Sequence, residues 1–237
     1  MERGRVMLYY FTLGMGLVVT LGFVFVRSKG ASVKRLFFKM SSSLCYLLTS
    51  VFAVISNPSV ADYGTLIIMG GALGLAGDAA LDLKFIYPKD ANEYLKAGFL
   101  FFLVGHIFYI GAIILYNPLE WWHILICIAI SVVLGVGTIM TANMMKLHYG
   151  KYRRIVMIYV IFLSMTATTS VFAAILTQSK SMIILAIGAI SFLLSDLVLS
   201  KIYFGRGWEK PVPIFANHFL YYAGQYLIAA SIIFLNK

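Results

Sequence analysis

The chain has 237 residues, of which 61% are hydrophobic and 12% charged, roughly half the charge of an ordinary soluble domain, and this excludes a water-soluble globular fold. Its formal net charge of +10 does not mark a nucleic-acid binder, because the basic residues cluster between apolar runs rather than on one soluble face or an arginine-rich tail. Cys45 and Cys127 lie inside apolar runs without metal-ligand spacing, which fits buried packing and neither a disulfide nor a zinc site.

Crossing a bilayer takes about 20 apolar residues per helix, so the chain has room for about eight spans and none for a separate soluble domain. The first run, residues 7–26, follows Arg3 and Arg5 in the charge order of a signal peptide. It is nevertheless long enough to span, and no small-residue cleavage site precedes Arg27 and Lys29, so a retained helix is expected. The second run, 37–55, carries Lys39 near one end and Ser41, Ser42 and Ser43 inside it. Runs at 61–83, 94–115, 121–141, 155–177, 181–203 and 214–236 complete the set. The expectation is an all-α, polytopic integral membrane protein: about eight transmembrane helices in one bundle, forming a single domain over 1–237.

Orientation follows from the Lys/Arg bias of the connections. The side holding the first, third, fifth and seventh loops has fifteen basic residues, among them Arg27, Lys29, Lys34, Arg35, Lys39, Lys84 and Lys201, against four on the other side, Arg3, Arg5, Lys180 and Lys237. Both termini are therefore expected outside the cytosol or in a lumen, the membrane being a bacterial cytoplasmic membrane or the endoplasmic reticulum. Trp121, Trp122 and Trp208 fall near predicted span ends, as interfacial anchors do.

Two aspartates sit within spans, in similar contexts: Gly77-Asp78-Ala79-Ala80-Leu81 and Ser195-Asp196-Leu197-Val198-Leu199. A carboxylate in hydrocarbon costs roughly 2.5–3.5 kcal/mol on insertion scales, so an acidic residue kept there is a functional candidate. Each Asp helix is followed by a His-x-x-Tyr helix, His106 to Tyr109 and His218 to Tyr221, four spans apart. Four is even, so the bundle divides into two four-helix halves of parallel topology if the echo reflects repetition. The topology places Asp78 and Asp196 roughly 8 and 10 Å inside their cytosolic span ends, a shared depth that permits the carboxyl groups to meet. Two carboxyl groups in one apolar site resist joint ionisation, so such a pair offers a general acid and a general base together.

Other candidates surround this pair. Asp82, one turn beyond Asp78 and beside Lys84, is expected at the membrane interface, with the Asp78 cavity as its other destination. His106 with Tyr109 suits a proton shuttle, a phosphate contact or an interhelical hydrogen bond. Tyr221, Tyr222 and Gln225 form a polar stripe on the last span with His218, and Lys39 is expected to snorkel to the interface or to meet a headgroup phosphate. The small residues Gly70, Gly71 and Gly74, and the run Thr166 to Ser170, read as close helix packing. No phosphate-cradling glycine loop, nucleophile elbow or zinc-protease motif is present.

Asp78 in Gly77-Asp78-x-x-Leu81, His106-x-x-Tyr109, Ser195-Asp196-Leu197 and Tyr221-Tyr222-x-x-Gln225, in this order on successive helices, resemble the motifs of the YhhN-like lysoplasmalogenase family of eight-span membrane proteins. Leu220, Gly224 and Met40 depart from the family's usual residues. The resemblance implies hydrolysis of the vinyl-ether bond of a lysoplasmalogen without metal or organic cofactor. In that reading Asp78 and Asp196 are catalytic, and His106, Tyr109, Ser195, Tyr221, Tyr222, Gln225 and Lys39 bind substrate or relay protons. The partners are a lysophospholipid and membrane lipids, not nucleic acid. The alkenyl chain would lie among the helices and the phosphate at the basic rim, near Lys39, Lys84 or Lys201. A proton-coupled transporter is the alternative, since buried Asp and His also build proton relays. An intramembrane aspartyl protease is disfavoured because Gly74-Leu75-Ala76-Gly77-Asp78 comes near a Gly-x-Gly-Asp pattern without matching it.

Overall fold

The computed structural model describes residues 2–27 and 32–236 and contains, among these, eight long helices. They are α1 (Glu2–Arg27), α2 (Val33–Ser56), α3 (Ala61–Ile86), α4 (Ala91–Tyr116), α5 (Trp121–Met140), α6 (Arg153–Thr177), α7 (Lys180–Phe204) and α8 (Pro211–Ser231). Local chemistry explains their limits. Ser32 caps α2 by accepting a hydrogen bond from the Arg35 amide at 3.1 Å, one of the donors a helix start leaves without an internal partner. Pro211 opens α8, and Pro58 and Pro88 open the single 3₁₀ turns that lead into α3 and α4, places where a missing N–H costs nothing and the fixed φ suits a helix. Lys29 and Lys237 of the orientation count lie outside the described residues.

Seven of the helices, α1 to α7, are long and apolar enough to cross a membrane, and the chain is a multi-pass membrane protein. The eighth falls short in composition because Asn217, His218, Tyr221, Tyr222 and Gln225 share it, all buried against the bundle. It also ends at Ser231, five residues before the predicted span end. Conversely, α2 begins at Val33, four residues early, and takes Lys34 and Arg35 into the helix. The outer surface is apolar, with Val18 and Val133 each 70% and Leu115 72% exposed, as lipid-facing residues are. Cys45 and Cys127 are buried free thiols.

Helices pack as hairpins, α1 with α2, α3 with α4, α5 with α6 and α7 with α8, and α2 also contacts α3 and α8 as α6 contacts α7 and α4. Advancing every helix by four turns the first set of contacts into the second, which is the pattern of two parallel halves. Backbone approach repeats too. A Cβ on Gly105 would stand 3.0 Å from the Gly70 carbonyl oxygen, and one on Gly188 would stand 2.9 Å from that of Gly224. Gly70 and Gly188 each precede their aspartate by eight residues, so the same small-residue contact sets the height of both acids. Asp78 and Asp196 each lie eight residues before the end of their helix, about 12 Å along its axis.

Candidate active site

Asp78 is 3% exposed and saturated with donors. Its Oδ2 accepts hydrogen bonds from Ser43 at 2.7 Å and Tyr221 at 2.6 Å, and its Oδ1 pairs with the Lys39 ammonium at 3.1 Å. The interfacial snorkelling expected of Lys39 does not occur. Its side chain is buried, with Nζ also 3.5 Å from Asp82 Oδ1 and 3.2 Å from the Asp78 carbonyl oxygen. Asp82 is likewise not interfacial: it is 2% exposed and accepts from Arg35 Nε at 3.0 Å. Two i, i+4 pairs on neighbouring helices, Arg35/Lys39 on α2 and Asp78/Asp82 on α3, therefore face each other. Two cations offset two carboxylates in a site where an unpaired charge would cost several kcal/mol. That doubled spacing is the signal by which sequence reasoning could have found Arg35, which it assigned to topology alone.

The network extends through the tyrosines. Tyr109 donates to Gln225 Oε1 at 2.9 Å, and Gln225 Nε2 donates to the Tyr221 hydroxyl at 3.3 Å. One line of hydrogen bonds thus runs from α4 through α8 to Asp78 on α3. Tyr222 lies 3.2 Å from the Ser43 hydroxyl and donates to the Lys39 carbonyl at 3.3 Å. Glycine makes the room: a Cβ on Gly74 would stand 2.9 Å from Gln225 Nε2 and 3.1 Å from the Tyr46 hydroxyl.

Asp196 sits in a different setting. Tyr159 of α6, absent from the sequence reading, donates to its Oδ2, and Ser195 donates to Oδ1 at 3.1 Å. Among the described residues no cation pairs with it. Ser195 also bonds its own helix at Phe192 O, while Asn217 donates to the Ser195 carbonyl at 2.8 Å and ties α8 to α7. His106 and Tyr109 serve different networks: His106 Nδ1 lies 3.0 Å from Thr166 Oγ1, and Tyr109 goes to Gln225. The His106 ring packs 5.0 Å from that of Phe192 and 5.9 Å from that of Tyr159, with Nε2 buried and without a hydrogen-bond partner among the described residues.

The two acids share a cavity. Asp78, Asp82 and Asp196, with Lys39, Asn217, His218 and Tyr221, line a cavity of about 30 Å³. Asp196 also borders a second, apolar space of about 50 Å³ walled by residues such as Phe99, Phe102, Leu163, Leu193 and Leu197. Leu197 is 44% exposed, so this slot reaches the outer face of α7. Asp196 therefore stands where an apolar slot meets a polar chamber, and Asp78 stands across that chamber among fixed charges.

No curated protein and no solved structure matches the chain. The model of the YhhN family matches residues 34–232, a stretch that holds both aspartates and every side chain bonded to them, and the chain belongs to the YhhN family.

Proposed function

We propose that the protein hydrolyses the vinyl-ether bond of a lysoplasmalogen to a fatty aldehyde and a glycerophospho-alcohol, with Asp196 as acid and Asp78 as base. The carrying observation is that two carboxyl groups line one cavity with opposite surroundings. Among the described residues Asp196 has only hydroxyl donors, and it borders an apolar slot, where the neutral carboxyl is the less costly form. Asp78 is held as a carboxylate by Lys39, Ser43 and Tyr221. Membership of the YhhN family supports the same reaction.

The alkenyl chain occupies the slot and its vinyl ether lies between the acids. Asp196 gives its proton to the alkene carbon distal to oxygen, leaving an oxocarbenium ion whose positive charge the Asp78 carboxylate stabilises. Water adds to the oxygen-bearing carbon and passes a proton to Asp78 Oδ1, giving a hemiacetal. Asp78 then protonates the departing glycerol oxygen while Asp196 takes the hemiacetal hydroxyl proton, so the C–O bond breaks, the aldehyde forms and both acids return to their starting states. One water is consumed.

The test is aldehyde release from lysoplasmalogen by purified protein in detergent. Asp78→Asn and Asp196→Asn are each expected to slow turnover by about 10²–10⁴-fold, the usual worth of a general acid or base. A folded variant of either kind that keeps the wild-type rate rules out the two-carboxylate mechanism. Flux of intact lipid into proteoliposomes without aldehyde would favour a transporter instead.

A further inference from the structure

Three lysines are candidates for the phosphate of a single-chain phospholipid, and the structure separates them. Lys39 is committed to Asp78 and Asp82. Lys201 lies over the Trp208 ring at 4.5 Å and lines a basic groove with Lys146 and Arg206 that shares no wall residue with the cavity of the two acids. Lys84 is placed otherwise. Its ammonium stands 3.1 Å from the centre of the Tyr203 ring, and Tyr203 lines the polar cavity, the apolar slot and a third, open groove of about 450 Å³.

That third groove is built between the end of α3 and the 141–152 connection. Lys84, Asn92, His148, Tyr149 and Tyr152 line it, and among the described residues no carboxylate does. Its far wall is ordered by packing: Tyr149 is 5% exposed, the His148 amide donates to the Phe204 carbonyl at 2.9 Å, and the Tyr149 hydroxyl lies 2.9 Å from that of Ser200. A cationic, aromatic groove with no acid among its described wall residues has the charge complement of a phosphodiester, and a lysine ammonium presents three donors to phosphate oxygens.

We infer that the Lys84 groove is the subsite for the phosphate of the lysophospholipid substrate, entered past Tyr203 from the chamber of the two acids. The inference rests on the proposed hydrolase reading for the position of the chain. The order of the spaces matches the order of groups in such a lipid: apolar slot for the chain, Asp196 and Asp78 at the ether, Lys84 at the phosphate. Lys84 begins six residues beyond Asp78, about 9 Å along α3. Five single bonds separate the ether oxygen from phosphorus, roughly 6 Å when extended, and the flexible lysine stem covers the remainder.

Binding of the ester analogue, a radiolabelled 1-acyl-lysophosphatidylcholine, to detergent-purified protein tests the subsite without requiring turnover, with a monoacylglycerol of the same chain as the phosphate-free comparison. Lys84→Ala is expected to weaken lysophosphatidylcholine binding about tenfold and to leave monoacylglycerol binding within twofold, whereas Lys84→Arg keeps both. Retained monoacylglycerol binding shows that the variant is folded. Equal weakening of both ligands, no change in either, or a phosphate-specific loss in Lys201→Ala in place of Lys84→Ala overturns the assignment. Displacement of the lipid by millimolar inorganic phosphate would assign the groove to free phosphate and also overturn it. Absence of aldehyde from any lysoplasmalogen, with the lysophosphatidylcholine preference intact, would remove the hydrolase reading and leave the phosphate subsite standing.

Discussion

Asp78 and Asp196 occupy equivalent heights on α3 and α7, each two turns beyond a glycine contact with the following helix, yet their surroundings are opposites. Around Asp78 the protein has collected two cations, a second carboxylate, a serine and a tyrosine. Around Asp196 it has placed a tyrosine, a serine and apolar walls. The difference shows how one backbone pattern used twice yields two chemically distinct acids: packing sets where a carboxyl sits, and the neighbours set what it does.

Breaking the charged half should have the largest effect. Lys39→Met leaves Asp78 buried without its cation, with an expected loss of about 3–5 kcal/mol of stability and loss of aldehyde release, read by thermal unfolding in detergent beside the activity assay. Adding Asp78→Asn to that variant removes the orphaned charge and should recover much of the stability but none of the activity. A single variant as stable as the wild type would mean that charge pairing does not hold this half.

The neutral half should respond more mildly. Tyr159→Phe removes one hydrogen bond to Asp196, worth about 1 kcal/mol, so turnover is expected to fall about fivefold with the melting temperature little changed. A fall as large as that of Asp196→Asn would show that Tyr159 takes part in proton transfer itself, and would narrow the contrast between the halves. The smallest effect is expected of Tyr222→Phe. Among the described residues its hydroxyl makes only long contacts, 3.2 Å to Ser43 and 3.3 Å to the Lys39 carbonyl, so about 0.5 kcal/mol is at stake, and turnover should stay within about twofold.

The two aspartates were legible in the chain because a carboxylate within an apolar run is costly wherever it lies. The interfacial placement expected of Lys39 and Asp82 does not hold, because charges near span ends normally reach the interface but these two pair inside the bundle, and Arg35 was counted for topology alone. Only their mutual spacing across two helices hinted at pairing. Tyr159, Ser43 and Thr166 gave no signal that separates a site hydroxyl from one satisfied by its own helix, as Ser42 is by the Phe38 carbonyl at 2.9 Å. His106 and Tyr109, one turn apart, were read as a unit, but they face different helices and enter separate networks.

Helix number, all-α class, the two acids and their common depth follow from hydropathy and from rise per residue, which are local properties of the chain. Which lysine pairs with which acid, which tyrosine meets Asp196 and which groove adjoins the cavity were decided only by the tertiary structure. Each of these contacts joins residues more than 30 positions apart on different helices, and only packing specifies how those helices are rotated toward one another.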